Sequence, residues 1–212
     1  MNRIMEPAKV QEVLARLGER YPEARCALDH KNVFELLVST MLSAQTTDKM
    51  VNIVTPALYA AYPDAAAFSK AEPADIEPYI QKIGIYRNKA KNICAMSRIL
   101  MEEYGGEVPG DHAKLTKLPG VGRKTANVVL ADGFGVQRIA VDTHVQRVSN
   151  RIGLVHEDNV TDTEEALMRA VPEDRWTNTH HLLIFHGRNC CAARKPNCAD
   201  CPIEGLCEKN GL

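Results

Sequence analysis

Apolar residues recur along this chain with the period of an α-helix, and the alternation of a half-buried strand is almost nowhere found. Val10, Val13, Leu14 and Leu17 stand at i, i+3, i+4 and i+7, which gives a first helix one apolar face. Asn32 and Glu35 have capping-box spacing, and the FELLVSTML run from Phe34 to Leu42 is apolar nearly all round, as in a buried helix. A helix starting at Thr46 or Thr47 carries Val51, Val54 and Leu58. Pro73 opens another, with Ile76, Tyr79, Ile80 and Ile83 behind it and Gly84 as its end. Arg87 to Tyr104 follows, stopped by Gly105-Gly106. Asp111 caps a short helix with Leu115 and Leu118, and further helices are expected from Arg123 to Asp132 and from Asp142 or Thr143 through Ile152. Thr161 and Glu164 read as a capping box for Glu165 to Val171, and Trp176 to Gly187 is the last long helix. About ten helices and no convincing strand predict an all-α fold.

Composition narrows the class. Charged residues make up 25% of the 212 and apolar residues 45%, the balance of a folded globular chain. No run approaches the ~20 apolar residues of a membrane span. The start, MNRIMEPAKV, lacks the apolar core of a secretory signal. A cytoplasmic protein is therefore expected. The net charge of −1 excludes a globally basic protein. Between Gly105 and Val155, however, seven lysine or arginine residues face four acids, a local net of +3.

Five of the seven cysteines lie beyond position 189, a clustering that points to metal ligation over disulfides. Cys191, Cys198, Cys201 and Cys207 have the spacing C-x6-C-x2-C-x5-C. Four thiolates in short irregular loops can converge on a zinc ion or on a [4Fe–4S] cluster, and loops this long suit the wider cluster. Cys190 is read as a spare thiol pointing away, and Cys26 and Cys94 as small buried hydrophobes. Arg194 and Lys195, in the loop between the first two ligands, are either phosphate contacts or solvated charge.

The most informative stretch is Leu118-Pro119-Gly120-Val121-Gly122-Arg123-Lys124. A helix ends, two glycines permit a tight turn with close backbone approach, and a new helix starts with its N–H groups free for an anion. The P-loop pattern G-x-x-x-x-G-K-S/T is absent, so the turn reads as a helix-hairpin-helix, which holds a DNA backbone without reading its sequence. Lys124, just past the hairpin, is either a phosphate-binding residue or an amine nucleophile. Asp142 is either a helix N-cap or a carboxylate that stabilises a cation and moves a proton.

LPGVGRKTANVVL, VDTHVQRVSNR, HGRNCCAARKPNC, MLSAQTTDKMVN, IGIYRNKAKNI and the cysteine tail, in this order over nearly the full length, resemble the endonuclease III family of helix-hairpin-helix DNA glycosylases with AP lyase activity. The resemblance implies two helical domains flanking a DNA groove: a six-helix domain at 26–135 with the hairpin, and an iron–sulfur domain built from 1–25 and 136–212. It selects a [4Fe–4S] cluster on Cys191, Cys198, Cys201 and Cys207. It makes Lys124 the nucleophile and Asp142 its partner acid. Gln45 becomes the residue filling the gap left by a flipped nucleotide, and Ile85 stands where the family has a leucine wedge. Gly120, Val121, Gly122, Arg123, His144, Arg194 and Lys195 are implied to meet the DNA.

The implied partner is duplex DNA with an oxidised pyrimidine or an abasic site, bound by a monomer. Adenine- and thymine-mismatch glycosylases of the same superfamily are the nearest rivals. They typically lack a lysine at the hairpin position, and Lys124 argues against them. A non-enzymatic iron–sulfur DNA-binding module would leave Lys124 and Asp142 unexplained.

Overall fold

A computed structural model describes residues 4–212; Met1–Arg3, the first residues of the segment read as lacking a signal core, lie outside the described residues. Among the described residues there are eleven α-helices and no strand. No helix is long and apolar enough to cross a membrane. The chain divides into two compact units, one of Met1–Cys26 with Gln137–Leu212 and one of Ala27–Val136.

The contiguous unit holds α2 (Val33–Leu42), α3 (Asp48–Ala61), α4 (Ala65–Lys70), α5 (Pro73–Ile80), α6 (Tyr86–Tyr104), α7 (His112–Leu115) and α8 (Arg123–Val128), numbered after α1 (Pro7–Arg20) in the other unit. Asn32, Thr47, Asp64 and Asp111 each accept a hydrogen bond from the backbone N–H three residues on. Such caps fix where a helix begins. Helix α2 is buried along nine of its ten residues, as its unbroken apolar run requires. Leu36, Leu37, Phe68, Ile76, Ile80, Ile83, Ile93 and Met96 fill the core around it. Each such side chain contributes about 1.5–3 kcal/mol by leaving water.

Two boundaries differ from expectation. Helix α5 stops at Ile80, because the chain tightens there, Ile83 N–H donating to Ile80 O at 2.8 Å. The helix after the hairpin is α-helical only to Val128 and continues as a π turn over Val129–Gly133. Gly133 allows this turn to lie against α2, since a Cβ there would come within 3.0 Å of Val33 Cγ1.

The other unit joins α1 to α9 (Thr143–Ile152), α10 (Val160–Ala170) and α11 (Trp176–Asn189). Val10, Val13, Leu14 and Leu17 are all buried, sharing a core with Val145, Val148, Ile152, Leu182 and Leu183. Helix α10 starts earlier than the Thr161–Glu164 reading: Asn159 is its cap, accepting from Asp162 N–H at 2.9 Å. Gly187 lets α9 and α11 come close, as a Cβ there would meet Val148 Cγ2 at 3.0 Å. After α11 the chain is irregular apart from two short 3-10 turns, Cys198–Asp200 and Glu204–Leu206.

Candidate functional site

In the contiguous unit, the hairpin is a tight turn closed by Val121 N–H on Leu118 O at 3.1 Å. Gly120 has φ +77°, and a Cβ there would lie 2.9 Å from both Asn92 Nδ2 and Met41 Cε. Glycine is thus demanded at 120 twice, by backbone and by space. Gly122 differs: φ is −93° and nothing lies within 4 Å of an added Cβ. The chain itself gives no steric reason for glycine at 122; the open space lies outward, where another backbone can approach. Lys124 follows in the first turn of α8, half-buried.

Gln45 and Ile85 share an uncommon conformation. Both are left-handed, at φ 55° and 58°, and both are exposed. For a β-branched residue this region is a true outlier. Residues held there cost roughly 1–3 kcal/mol each and persist where the surroundings over-determine them. The two turns adjoin: a Cβ on Gly84 would lie 3.5 Å from Gln45 O. Lys89, which the pattern along the chain left unremarked, is buried between them. Its Nζ donates to Leu42 O at 2.9 Å, Ala44 O at 2.5 Å and Thr46 Oγ1 at 3.3 Å. Burial pushes its amine below the ordinary lysine range.

In the other unit, Asp142 is a helix N-cap. Its Oδ1 accepts from His144 N–H and Val145 N–H, both at 2.8 Å. The second oxygen, Oδ2, lies 3.4 Å from His144 Nδ1. Capping therefore occupies one carboxylate oxygen and fixes the direction of the other.

The four tail cysteines line a small recess with Cys190, His186 and Arg151. None of these five cysteines is in a disulfide. Cys190 does not point away: its Sγ donates to Asn197 O at 3.2 Å and lies among His186 and Cys201, all three offering atoms within 4.8 Å of one another. Asn197 N–H bonds back to Cys190 O at 2.9 Å, and this loop closure turns the thiol inward. Burial pushes the Cys190 thiol up to about 12, and raises Cys201 and Cys207 as well. Thiolates in such a place need a positive centre, so the donor set fits a thiolate-bound metal group. His186, held near pKa 4 by burial, is neutral and meets Tyr21 Oη through Nδ1 at 3.2 Å. Cys26 is half-buried and Cys94 buried.

Arg151, itself buried, donates to Ala192 O at 2.8 Å and Ala193 O at 3.3 Å, and approaches Cys191 Sγ at 3.5 Å. Arg147 Nη2 donates to Gly187 O and Cys191 O, each at 3.1 Å. The loop from Cys191 is thus gripped from inside by two guanidinium groups, with Arg194 and Lys195 exposed on its outer side.

A Pro-Gly turn that leaves open space at its second glycine, in an all-helical chain, defines a helix-hairpin-helix protein. The sequence matches the HhH-GPD superfamily base excision DNA repair proteins over residues 38–173. It is 49% identical over 202 residues to endonuclease III of Bacillus subtilis (strain 168), covering 95% of this chain and 92% of that one. It is 48% identical over 204 residues to endonuclease III of Escherichia coli (strain K12), covering 96% and 97%. A trapped endonuclease III–DNA covalent intermediate has a TM-score of 0.92 at 44% identity, over 97% of each chain. A thermostable thymine-DNA glycosylase, 23% identical with a TM-score of 0.86 over 95% of this chain and 96% of that one, shares the fold. The chain belongs to the endonuclease III family, whose members are DNA glycosylases and AP lyases of base excision repair.

Proposed function

We propose that this enzyme excises oxidised or ring-saturated pyrimidines from duplex DNA, with Lys124 as nucleophile, and then cuts 3′ to the abasic site. The observation that carries the reading is the position of Lys124, in the first turn of the helix that leaves a hairpin open to a phosphate backbone.

A base inside a duplex is out of reach of any side chain, so the nucleotide must leave the stack; a damaged base stacks poorly, which lowers that cost. Gln45 and Ile85, exposed on strained turns, fill the opened duplex. Gly120, Val121, Gly122, Arg123, His144, Arg194 and Lys195 hold phosphates. The Lys124 amine attacks C1′ with its lone pair, the C1′–base bond breaks, and the base leaves with the bonding electron pair and takes up the proton the attacking nitrogen gives up. Ring opening, with a proton delivered to O4′, gives a protonated Schiff base between Nζ and C1′. That iminium acidifies the C2′ proton; its removal drives β-elimination, which breaks the C3′–oxygen bond. Asp142, with one oxygen fixed by capping, stabilises the positive charge at C1′ and serves proton transfer through the other.

Cys191, Cys198, Cys201 and Cys207 are proposed to hold a [4Fe–4S] cluster. The spacing C-x6-C-x2-C-x5-C, with longer loops beside its one C-x2-C pair, supports the wider cluster over a single zinc ion. When bound, the cluster supplies four iron–thiolate bonds that tie the tail together. The duplex DNA partner is supported by the likeness to endonuclease III–DNA complexes. Borohydride trapping on a duplex with one thymine glycol is the test. Wild-type protein is expected to give a covalent adduct and a nick, and Lys124→Ala neither. An adduct that persists in Lys124→Ala would overturn the assignment.

A further inference from the structure

We propose that Lys89 is a positioning residue for DNA opening, setting Gln45 from a buried ammonium while its backbone N–H anchors the adjoining Ile85 turn. The inference rests on the reading of those two residues as the ones that fill the opened duplex.

An ammonium has three hydrogens to donate and no acceptor. Lys89 finds three acceptors: the carbonyls of Leu42 and Ala44 and the hydroxyl of Thr46. Leu42 ends α2, and the other two flank Gln45. The contacts therefore span the turn that carries Gln45 and draw its carbonyls inward.

The same residue reaches the second turn through its own backbone. Lys89 N–H donates to Ile85 O at 3.2 Å, the first hydrogen bond of α6, whose cap position Ile85 occupies in the left-handed region. Gly84 completes the junction, with space for a Cβ only 3.5 Å from Gln45 O and 3.9 Å from Thr46 Oγ1. The two strained turns and the lysine thus form one unit. All three acceptors are neutral oxygens, and burial alone disfavours the charge. A buried charge left without a carboxylate is costly unless fully hydrogen-bonded. Leucine or methionine would fill the volume of the stem as well, so the ammonium is kept for what it holds.

The test uses Lys89→Met in the full-length enzyme with its metal group in place. Methionine keeps the unbranched stem and removes all three donors. Excision of thymine glycol under single-turnover conditions is expected to fall about a hundredfold, the scale of a ~1 Å misplacement. Nicking of a preformed abasic site is expected to fall less than about fivefold, because no base has to be withdrawn from the stack. 2-Aminopurine beside the lesion is expected to lose its opening signal.

Lys89→Met and Gln45→Ala together are expected to be little worse than Gln45→Ala alone, since one acts through the other. Should Lys89→Met fail to fold, Thr46→Val removes one acceptor at a half-buried position. It is expected to lower excision about tenfold with abasic nicking little changed, the low end of the scale of one hydrogen bond to a charged group. Equal loss of both activities, in proportion to lost folded protein, would overturn the proposal. So would full multiplication of the Lys89→Met and Gln45→Ala effects, or an unchanged opening signal. Wild-type protein that neither excises nor nicks would instead overturn the enzymatic reading on which this one stands.

Discussion

Replacing Gly120 and Gly122 by alanine, one at a time, separates what the hairpin needs for folding from what it needs for DNA. At Gly120 the backbone has φ +77°, where an L-residue costs roughly 1–2 kcal/mol. The new Cβ would also sit 2.9 Å from Met41 Cε and 3.0 Å from Asn92 Cβ. The methionine tip can move, but the Asn92 Cβ is fixed to α6, so overpacking adds about 1–3 kcal/mol. Alanine returns about 0.4–1 kcal/mol by restricting the unfolded chain. Gly120→Ala is thus expected to destabilise by about 2–4 kcal/mol. With a urea slope near 2 kcal/mol per molar, the unfolding midpoint should fall by about 1–2 M. At Gly122, φ is ordinary and nothing lies within 4 Å, so Gly122→Ala should change stability by less than about 1 kcal/mol. Its effect is expected in binding: affinity for duplex DNA should fall while the urea midpoint stays. Equal midpoint shifts for the two variants would refute the steric argument. Unchanged DNA affinity in Gly122→Ala would refute the reading of the open space as a backbone contact.

Three further outcomes follow from the same geometry. Arg194→Ala and Lys195→Ala, at exposed positions of the gripped loop, should each lower the slope of log affinity against log salt by about 1, with little change in lesion preference, as measured by fluorescence titration across ionic strengths. Cys198→Ser should remove the visible absorbance expected of the proposed cluster and weaken DNA binding; retained affinity with the absorbance gone would show that the loop stands without a metal group. Tyr59, half-buried and bonded to Glu35 O at 2.9 Å, has a hydroxyl whose ionisation desolvation opposes, so its pKa is raised in the folded state. The stability it contributes is therefore complete below pH 10 and falls as the pH rises beyond it, because only the unfolded chain then gains by ionising. Urea midpoints between pH 8 and pH 11 should fall more steeply for wild-type protein than for Tyr59→Phe.

The helices were legible because caps and apolar periodicity are local. Asn32, Thr47, Asp111 and Asp142 all cap helices the pattern predicts. Helix α4 was missed: at six residues, Ala65–Lys70 is too short to show a stripe, and only its Asp64 cap marked it. At α10 two plausible caps competed, and Asn159 supplied the side-chain oxygen in place of Thr161. The hairpin was legible as punctuation, but the different demands on Gly120 and Gly122 were not, since they come from Met41 and Asn92 far along the chain. Lys89 was illegible for a related reason. Lysine on a helix usually reads as solvated, and its acceptors are mostly backbone oxygens, which no residue type announces. The left-handed turns at Gln45 and Ile85 left no trace either, because the residues normally signalling that conformation are glycine and asparagine.

One unit of this protein is assembled from both ends of the chain, and that has a consequence during synthesis. Helix α1 emerges from the ribosome before the contiguous unit, yet its partners α9 and α11 are made more than a hundred residues after it. At about 5–20 residues per second, the apolar face of Val10, Val13, Leu14 and Leu17 waits on the order of ten seconds for its core. The contiguous unit, Ala27–Val136, has all its own helices meanwhile and is complete well before the tail appears. A ribosome-bound nascent chain just long enough for Val136 to have cleared the exit tunnel, with α11 still unmade or inside it, should therefore resist protease across that unit while α1 is still cut.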